Sequence, residues 1–191
     1  MNNKSVINHD ILLRSEAYAD GMTKKEFNQY VKDNNFERVG YGVYANPDTI
    51  LDDLFIIHHR CPHAVFSHDE ALYYHGLAER EPIQHTLTVY TGYNTKRLTE
   101  SGFKVYTVKK ELIDLGKITV TDFFGNTVPM YDMERTICDL VRNRKNYEIQ
   151  DFQAALKFYV KKTDKNLNQL MKYAKEFHVD RIIRNYMEVL L

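Results

Sequence analysis

The spacing of apolar and polar residues along the chain predicts two helices near its start. Apolar residues at roughly helical spacing predict a helix over residues 6–17. A second apolar stripe predicts a helix over residues 24–35. Thr23 and Glu26 have the spacing of a capping box, in which a hydroxyl and a carboxylate each satisfy a free backbone N–H group. The second helix therefore has a defined first residue.

Two short strands follow the second helix, at Phe36–Val39 and Gly42–Ala45, with Gly40-Tyr41-Gly42 as the turn. Helix, capped helix and hairpin are the layout of a winged helix-turn-helix, whose second helix enters the DNA major groove while the wing touches the backbone. We therefore predict such a domain over residues 1–46. A winged helix ordinarily has three helices before its wing, so the third must be a short turn around Ala17–Met22 or be absent.

The side chains of the predicted recognition helix and wing suit DNA. Asn28 and Gln29 carry amides that can pair with base edges, lysine and arginine neutralise phosphates, and a wing-tip tyrosine can lie against sugar or phosphate. The candidate DNA-binding residues are Lys24, Lys25, Asn28, Gln29, Lys32, Arg38 and Tyr41. The alternative is an amphipathic helix with an ordinary solvated face, since Glu26, Asp33 and Glu37 offset the lysines.

The rest of the chain predicts a larger mixed domain. Asn46-Pro47-Asp48 is the candidate boundary, Ser67 to Glu70 have the spacing of a second capping box, and Gly76 fits the position after a helix end. The predicted elements are a helix at 49–59, a helix from Ser67 to Tyr74, strands at Thr86–Tyr90, Lys104–Val108, Ile118–Phe123 and Thr127–Met130, a helix capped by Asp132 and running to about Arg142, and helices at about 149–161, 165–177 and 179–190.

These elements define an α+β fold class. We expect an N-terminal winged helix-turn-helix joined to a C-terminal domain, residues 47–191, with a small mixed β-sheet and several helices. The sheet is expected within residues 47–142, and a helical tail is expected over about 149–191.

Charge adds a constraint on any DNA contact. Formal net charge is zero, so no global field attracts nucleic acid or membrane, and DNA affinity must come from a local patch. Residues 142–191 hold eleven Lys/Arg against six Asp/Glu, so the basic excess lies outside the predicted winged helix. These C-terminal charges either form a solvated face or make a second contact with flanking DNA or with RNA.

Several function classes are disfavoured. No stretch is apolar enough to span a membrane, the first ten residues lack an apolar signal core, and Cys61 and Cys138 are expected to be buried reduced thiols, so we expect a cytoplasmic protein. P-loop, GxSxG, HExxH and nucleotidyltransferase signatures are absent, so we expect no enzyme. Asp52-Asp53 are expected to be an exposed acidic pair rather than part of a nuclease site.

The histidines raise a metal hypothesis. Zinc sites use Cys and His at close spacings, and five such residues fall within eleven positions: His58, His59, Cys61, His63 and His68. No CxxC pair is present, and Pro62 interrupts the segment. We therefore expect no metal and no other cofactor.

Four segments, in order, resemble the AbiEi family of antitoxins. Arg38–Tyr44 resembles the family's wing ending, and Ser67–Leu77 resembles its SHxSALxxHGL segment. Thr86–Tyr90 resembles the following strand, and Glu134–Leu140 resembles the family's ERTlxDl helix. Each segment alone is weak evidence for the family. The four segments in the family's order are more specific, and together they cover most of residues 20–145.

The resemblance implies an antitoxin of AbiE type IV toxin–antitoxin systems, which act in phage resistance by abortive infection. The winged helix would bind inverted repeats in its own promoter and repress the operon. The C-terminal domain would counter a nucleotidyltransferase-like toxin without forming a stable complex. Inverted repeats require two copies on DNA, and a dimer in solution and a monomer that assembles on DNA both remain open.

The roles of the motif residues in the C-terminal domain also remain open. They are Ser67, His75, Glu134, Arg135 and Thr136. The structural interpretation makes Ser67 a helix cap and Arg135 part of an internal salt bridge. The functional interpretation gives Ser67 and His75 contact with a nucleic acid or a toxin target, and makes Glu134 and Arg135 a catalytic pair. Two other functions are a stand-alone winged-helix regulator with a ligand-sensing or oligomerising domain, and a metal-dependent nuclease.

Overall fold

A computed structural model describes residues 11–50, 52–122 and 125–191. The described residues form helices and two small sheets, consistent with the predicted α+β class. Two compact units are present. Of the described residues, those up to 62 together with those within 121–128 form the N-terminal unit, and residues 63–120 and 129–191 form the C-terminal unit. Within the described ranges, no helix combines the length and apolarity that crossing a membrane requires.

The described part of the N-terminal unit is built from a three-stranded sheet and three helices. The strands pair antiparallel in the order β1-β3-β2, so the first strand joins the outer side of the hairpin. The elements in chain order are β1 (Ile11–Leu13), α1 (Arg14–Ala19), α2 (Lys24–Asp33), β2 (Glu37–Gly40), β3 (Val43–Ala45) and α3 (Asp53–Arg60).

Strand β1 corrects the predicted helix over residues 6–17. Residues 6–10 lie outside the described residues, Ile11 to Leu13 are extended, and helix α1 begins only at Arg14. Ile11 pairs with Ala45 and Leu13 with Val43. Three consecutive apolar residues bury all their side chains in this strand, whereas a helix of the same residues would turn part of them to solvent.

Helix α2 confirms the predicted capping box. Thr23 Oγ1 accepts a hydrogen bond from Glu26 N (3.3 Å), and Glu26 Oε2 accepts one from Thr23 N (2.8 Å). On the inner face, the Phe27 ring is buried between Tyr18 (centroids 5.6 Å apart) and Tyr44 (5.2 Å). These edge-to-face contacts fix α2 against α1 and the hairpin.

The compact-unit boundary falls after Pro62 rather than at residue 46. Helix α3, predicted over 49–59 as part of the C-terminal domain, packs on the hairpin instead. Its Ile56 joins Val43 and Ala45 in one apolar core. A Cβ on Gly40 would lie 3.4 Å from the Ile56 side chain, so the helix approaches the hairpin backbone closely. Burial of this apolar contact outweighs the turn signal at Asn46-Pro47-Asp48.

The C-terminal unit contains a mixed five-stranded sheet in the order β6-β5-β4-β8-β7. Strand β4 runs antiparallel to β5 and parallel to β8, and β5 runs parallel to β6. The elements are β4 (Val65–Phe66), α4 (Asp69–Tyr74), β5 (Thr86–Tyr90), α5 (Lys96–Glu100), β6 (Lys104–Val108), β7 (Lys117–Thr121), β8 (Thr127–Tyr131), α6 (Met133–Arg142), α7 (Ile149–Lys161), α8 (Leu167–Glu176) and α9 (Asp180–Leu190), with 3-10 turns at Lys110–Leu112 and Arg144–Asn146.

Helix α6 forms the centre of this unit. All its residues except the last are buried, and it packs against α4, α7, α8 and α9. Its predicted cap is confirmed, because the Asp132 side chain accepts a hydrogen bond from Arg135 N (2.7 Å). The predicted strands and the three C-terminal helices form at nearly the predicted positions. β4 and α5 were not predicted, since two and five residues carry too little periodicity.

Candidate nucleic-acid interface

Helix α2 presents one polar face to solvent. Lys25, Asn28, Gln29 and Lys32 stand at positions i, i+3, i+4 and i+7, which share one side of a helix. All four side chains are exposed, whereas Phe27 on the opposite side is buried. We call these four residues the α2 outer face. The two cations can donate hydrogen bonds to phosphates, and the two amides can pair with base edges.

The acidic residues of α2 occupy a flank of the helix. Glu26 and Asp33 are seven positions apart, so they share a side that the α2 outer face does not include. Hydrogen bonds from Thr23 hold the pKa of Glu26 below its usual value, so this carboxylate is engaged in the cap. Asp33 Oδ1 accepts a hydrogen bond from Gln29 Nε2 (2.7 Å). The Gln29 amide must therefore leave Asp33 before it can pair with a base.

The hairpin tip carries a second basic cluster. Tyr41 is 69% exposed, and the guanidinium carbons of Arg14 and Arg38 lie 5.0 Å and 5.8 Å from its ring centroid. Gly42 has φ +76°, the conformation the predicted turn requires. Sequence reasoning missed Arg14, because only the folded chain brings the start of α1 to the turn, where Arg14 N donates to the Gly42 carbonyl (2.8 Å).

All seven predicted DNA-binding side chains, including Lys24, are exposed in the N-terminal unit. Together with Arg14 they provide five cations on a small module. These cations are candidates for the local anion contact that a chain of zero net charge would require.

Asp52 corrects the prediction of an exposed acidic pair. Its side chain is 4% exposed and caps α3, with Oδ1 accepting from Leu54 N (3.1 Å) and Oδ2 accepting from Asn126 Nδ2 (2.9 Å). Burial, with a hydrogen bond to Asp122, raises the pKa of Asp52 to about 6. Asp53 is exposed as predicted. The burial of Asp52 could not be predicted from its neighbours in the sequence, because its partner Asn126 lies 74 positions away.

The histidine and cysteine residues of the metal hypothesis differ in their contacts. Over residues 11–50, 52–122 and 125–191, no three His, Cys, Asp or Glu side chains are arranged to hold a metal ion. Burial lowers the pKa of His59 to about 4, and His63 contacts the rings of Tyr90 and Tyr93. Cys61, like Cys138, is a free, buried thiol.

Ser67 does not cap α4, contrary to the prediction. It is fully buried, and its Oγ accepts a hydrogen bond from Thr88 Oγ1 (2.8 Å). Thr86 takes the capping role from the neighbouring strand, because its Oγ1 accepts a hydrogen bond from Glu70 N (2.9 Å). His68 stands between Ser67 and the helix with φ +52° and ψ −119°, and this turn directs Ser67 into the sheet rather than along the helix.

His68 holds this left-handed backbone conformation inside a polar cluster. Its ring stacks on Tyr106 with centroids 3.5 Å apart, and Nδ1 lies 3.0 Å from Ser67 Oγ. Asn143 Nδ2 donates to Nε2 (3.2 Å). Burial lowers the pKa of His68 to about 4, so the ring is neutral near pH 7. The surrounding contacts therefore compensate a conformation that non-glycine residues rarely adopt.

His75 links the end of α4 to the sheet. Its half-buried Nε2 donates to the Tyr131 carbonyl (2.7 Å), and burial lowers the pKa of the ring. Gly76 follows with φ +64°. Gly76 N donates to the Tyr73 carbonyl and Leu77 N to the Leu72 carbonyl, which is a Schellman ending. The predicted role of Gly76 is confirmed.

Glu134 and Arg135 are both buried but do not pair with each other. Glu134 Oε1 accepts hydrogen bonds from Asn166 N (2.7 Å) and Tyr159 Oη (3.3 Å), and so ties α6 to α7 and to the start of α8. Thr136 Oγ1 donates to the Asp132 carbonyl (2.7 Å). These contacts are internal, as the structural interpretation expected.

Arg135 forms the internal salt bridge that was predicted, with a partner on its own helix. Its Nε donates to Asp139 Oδ2 (2.9 Å), and its Nη1 donates to the carbonyls of Leu112 (3.0 Å) and Leu115 (2.6 Å). The side chain is fully buried. Arg135 therefore joins α6 to the turn before β7.

Comparisons with known proteins bear on the fold. No family model matches the chain, and no curated protein matches it. A solved structure, the RV2827C protein from Mycobacterium tuberculosis, matches with a TM-score of 0.59 and 10% sequence identity. The match covers 87% of this chain and 66% of that chain, so this chain spans just under two thirds of its length. At this identity the likeness shows the fold alone.

Proposed function

We propose that this protein is a DNA-binding transcriptional repressor whose N-terminal unit is a winged helix-turn-helix. The element order β1-α1-α2-β2-β3 with strand order β1-β3-β2 supports this assignment. Helices α1 and α2 are separated by the short turn Asp20–Thr23, so α1 is the positioning helix and α2 the recognition helix. The β2–β3 hairpin is the wing.

The observation that carries the proposal is the α2 outer face. Asn28 is the exposed amide with no acidic neighbour at i+4, because its i+4 residue is Lys32. It is therefore the first choice for base readout, and Lys25 and Lys32 on either side contact phosphates. Tyr41, Arg14 and Arg38 contact the backbone from the wing.

We further propose that the protein is the antitoxin and autorepressor of a type IV toxin–antitoxin operon in the cytoplasm. This step rests on the ordered resemblance to AbiEi proteins. The winged helix would bind inverted repeats in its own promoter, and the C-terminal unit would counter a nucleotidyltransferase-like toxin without a stable complex. No cofactor or catalytic step is involved.

The buried motif residues limit how the C-terminal unit can act. Ser67, Glu134, Arg135 and Thr136 are enclosed by other residues, and their side chains cannot reach a nucleic acid or a toxin without unfolding. Their role in the proposal is to hold α6, β5 and the adjoining turns in place. Antitoxicity then depends on exposed residues of the same unit, and His75 is the motif residue nearest to solvent.

A two-reporter experiment tests this proposal. The protein is expressed beside a reporter under its own upstream DNA, and separately with the toxin-like gene next to its own. The variant Lys25→Ala/Asn28→Ala/Lys32→Ala is expected to lose repression and keep antitoxicity. The control Lys172→Ala/Lys175→Ala removes two exposed cations of α8 and is expected to keep both. Absence of repression by the wild type contradicts the repressor; repression without antitoxicity leaves a stand-alone regulator.

A further inference from the structure

Helix α7 carries two stripes: one is buried in the core, and the other is only partly covered, with Phe158 packing against the edge of the core. The buried stripe consists of Phe152, Ala155, Leu156 and Tyr159. A second stripe consists of Gln150, Asp151, Ala154, Lys157, Phe158 and Lys161; Ala154 and Phe158 are half-buried and the other four are exposed. We call it the α7 stripe. Its spacings of three and four residues place all six side chains on one side of the helix.

The α7 stripe lines an open groove. Gln150, Asp151, Ala154 and Phe158 form one wall of a cavity of about 710 Å³, and Leu77 and Pro82 line it from the opposite side. The concave surface continues along α7 past Lys157 and Lys161. From Gln150 to Lys161 the groove is roughly 16 Å long at about 1.5 Å per residue, the length of three helical turns.

Charges on the α7 stripe are separated by sign. Asp151 stands in the first turn, with Glu148 just before the helix, and Lys157 and Lys161 stand in the last turns. Ala154, a small residue, lies between the two ends. A helix that is acidic at one end and basic at the other is complementary to a second copy of itself running antiparallel.

The charged residues of the α7 stripe are placed symmetrically about Ala154. Asp151 and Lys157 both lie three residues from Ala154, and Gln150 and Phe158 both lie four residues from it. A two-fold axis through Ala154 therefore sets Asp151 opposite Lys157 of the second copy, and Gln150 opposite its Phe158. Alanine at the crossing point allows two helices to approach within the usual 8–10 Å.

We propose that the α7 stripe is a self-association surface on which a second copy of this chain docks its own α7, antiparallel and about a two-fold axis. Each interface then holds two Asp151–Lys157 ion pairs and two Gln150–Phe158 contacts, with Ala154 at its centre. The inference does not depend on the proposed DNA binding. If the DNA proposal also holds, a two-fold pair of copies matches the two-fold symmetry of inverted repeats.

Charge exchange tests the proposal in the full chain. Sedimentation equilibrium compares the wild type with Asp151→Lys, Lys157→Asp and the double variant, up to about 200 µM protein, a range that detects weak dimers. Each single variant places two like-charged pairs in the interface and is expected to raise the dimer Kd at least about tenfold. The double variant restores opposite charges across the axis and is expected to return the Kd to within about threefold of the wild type.

A crosslinking experiment tests the axis itself. The Ala154→Cys variant places two thiols beside the two-fold axis, within the Cα separation of about 4.4–6.8 Å that a disulfide needs, and is expected to form a covalent dimer under mild oxidation. Lys172→Cys, an exposed position on α8, is the matched control and is expected to form no covalent dimer. A wild type that sediments as a monomer, a double variant that does not recover, or equal crosslinking of both cysteine variants overturns the proposal. Far-UV circular dichroism confirms that each variant is folded.

Discussion

Replacing Arg135 by methionine removes the cation at the centre of the C-terminal unit. The guanidinium makes three hydrogen bonds, to Asp139 and to the carbonyls of Leu112 and Leu115. It also lies 4.0 Å from the ring centroid of Tyr131 and 4.2 Å from that of Phe177. Methionine fills part of the space between the rings but cannot donate. Among the described residues, Asp139 then stays buried with its ion pair to Arg142 alone.

The expected loss in the free energy of unfolding is about 3–5 kcal/mol, because removing one partner leaves a buried carboxylate with insufficient compensation. Arg142→Met is the matched control. Arg142 donates to the same carboxylate (3.0 Å) but its side chain is 32% exposed, so the expected loss is about 1 kcal/mol. The double variant Arg135→Met/Asp139→Leu removes both buried charges and is expected to recover part of the loss.

Urea denaturation followed by far-UV circular dichroism measures these differences. The chain has no tryptophan, so backbone signal is preferred to fluorescence. A loss below about 1 kcal/mol for Arg135→Met, or equal losses for the two arginine variants, would refute the argument that the buried ion pair stabilises the unit.

Three further changes have outcomes set by single contacts. Asp52→Asn removes the carboxyl group whose pKa is raised to about 6. The folded wild type holds a proton that the unfolded chain releases from about pH 4 upward, so the stability of the wild type falls as pH rises through 6. Urea denaturation at pH 5 and 7.5 should therefore show the variant gaining about 1 kcal/mol relative to the wild type over that interval, whereas a constant difference contradicts the raised pKa. Thr86→Val keeps the shape but leaves Glu70 N without its acceptor, and thermal denaturation should show a loss of about 2 kcal/mol; Thr88→Val, which removes one hydroxyl contact with Ser67, should lose less. Gly76→Ala forces a side chain into φ +64° and should cost about 1 kcal/mol, with Gly76→Asn costing less; equal stability of all three proteins would show that the left-handed ending is unimportant.

Local signals predicted the elements that local contacts stabilise. The capping box of Thr23 and Glu26, the Asp132 cap of α6 and the helix ending at Gly76 all involve residues within six positions of one another. Their hydrogen bonds form without help from distant parts of the chain. The local sequence is therefore sufficient to predict them. The exposed polar face of α2 likewise follows from the helical spacing of its polar residues.

Features that depend on distant partners were misassigned. Ile11 to Leu13 form a strand because β3 lies beside them, and no local pattern distinguishes that strand from the start of a helix. Ser67 has the spacing of a cap, but the turn at His68 and the hydroxyl of Thr88 direct it inward. Asp52 is buried because Asn126 supplies a donor from 74 positions away. Arg14 lies at the wing because the folded chain brings the start of α1 to the Gly42 carbonyl.

The most direct test of the central claim, that α2 is a DNA recognition helix, is an equilibrium titration of the DNA upstream of this gene. Fluorescence anisotropy of labelled DNA measures Kd for the wild type and for Lys24→Ala/Lys25→Ala/Lys32→Ala at two or more salt concentrations. The wild type is expected to bind this DNA specifically and with an affinity that falls as salt rises. In the variant the slope of log K against log salt should fall by up to about 3, one phosphate contact per lysine. No wild-type binding, or equal binding and slope for the two proteins, would contradict the account and direct attention to the basic C-terminal helices.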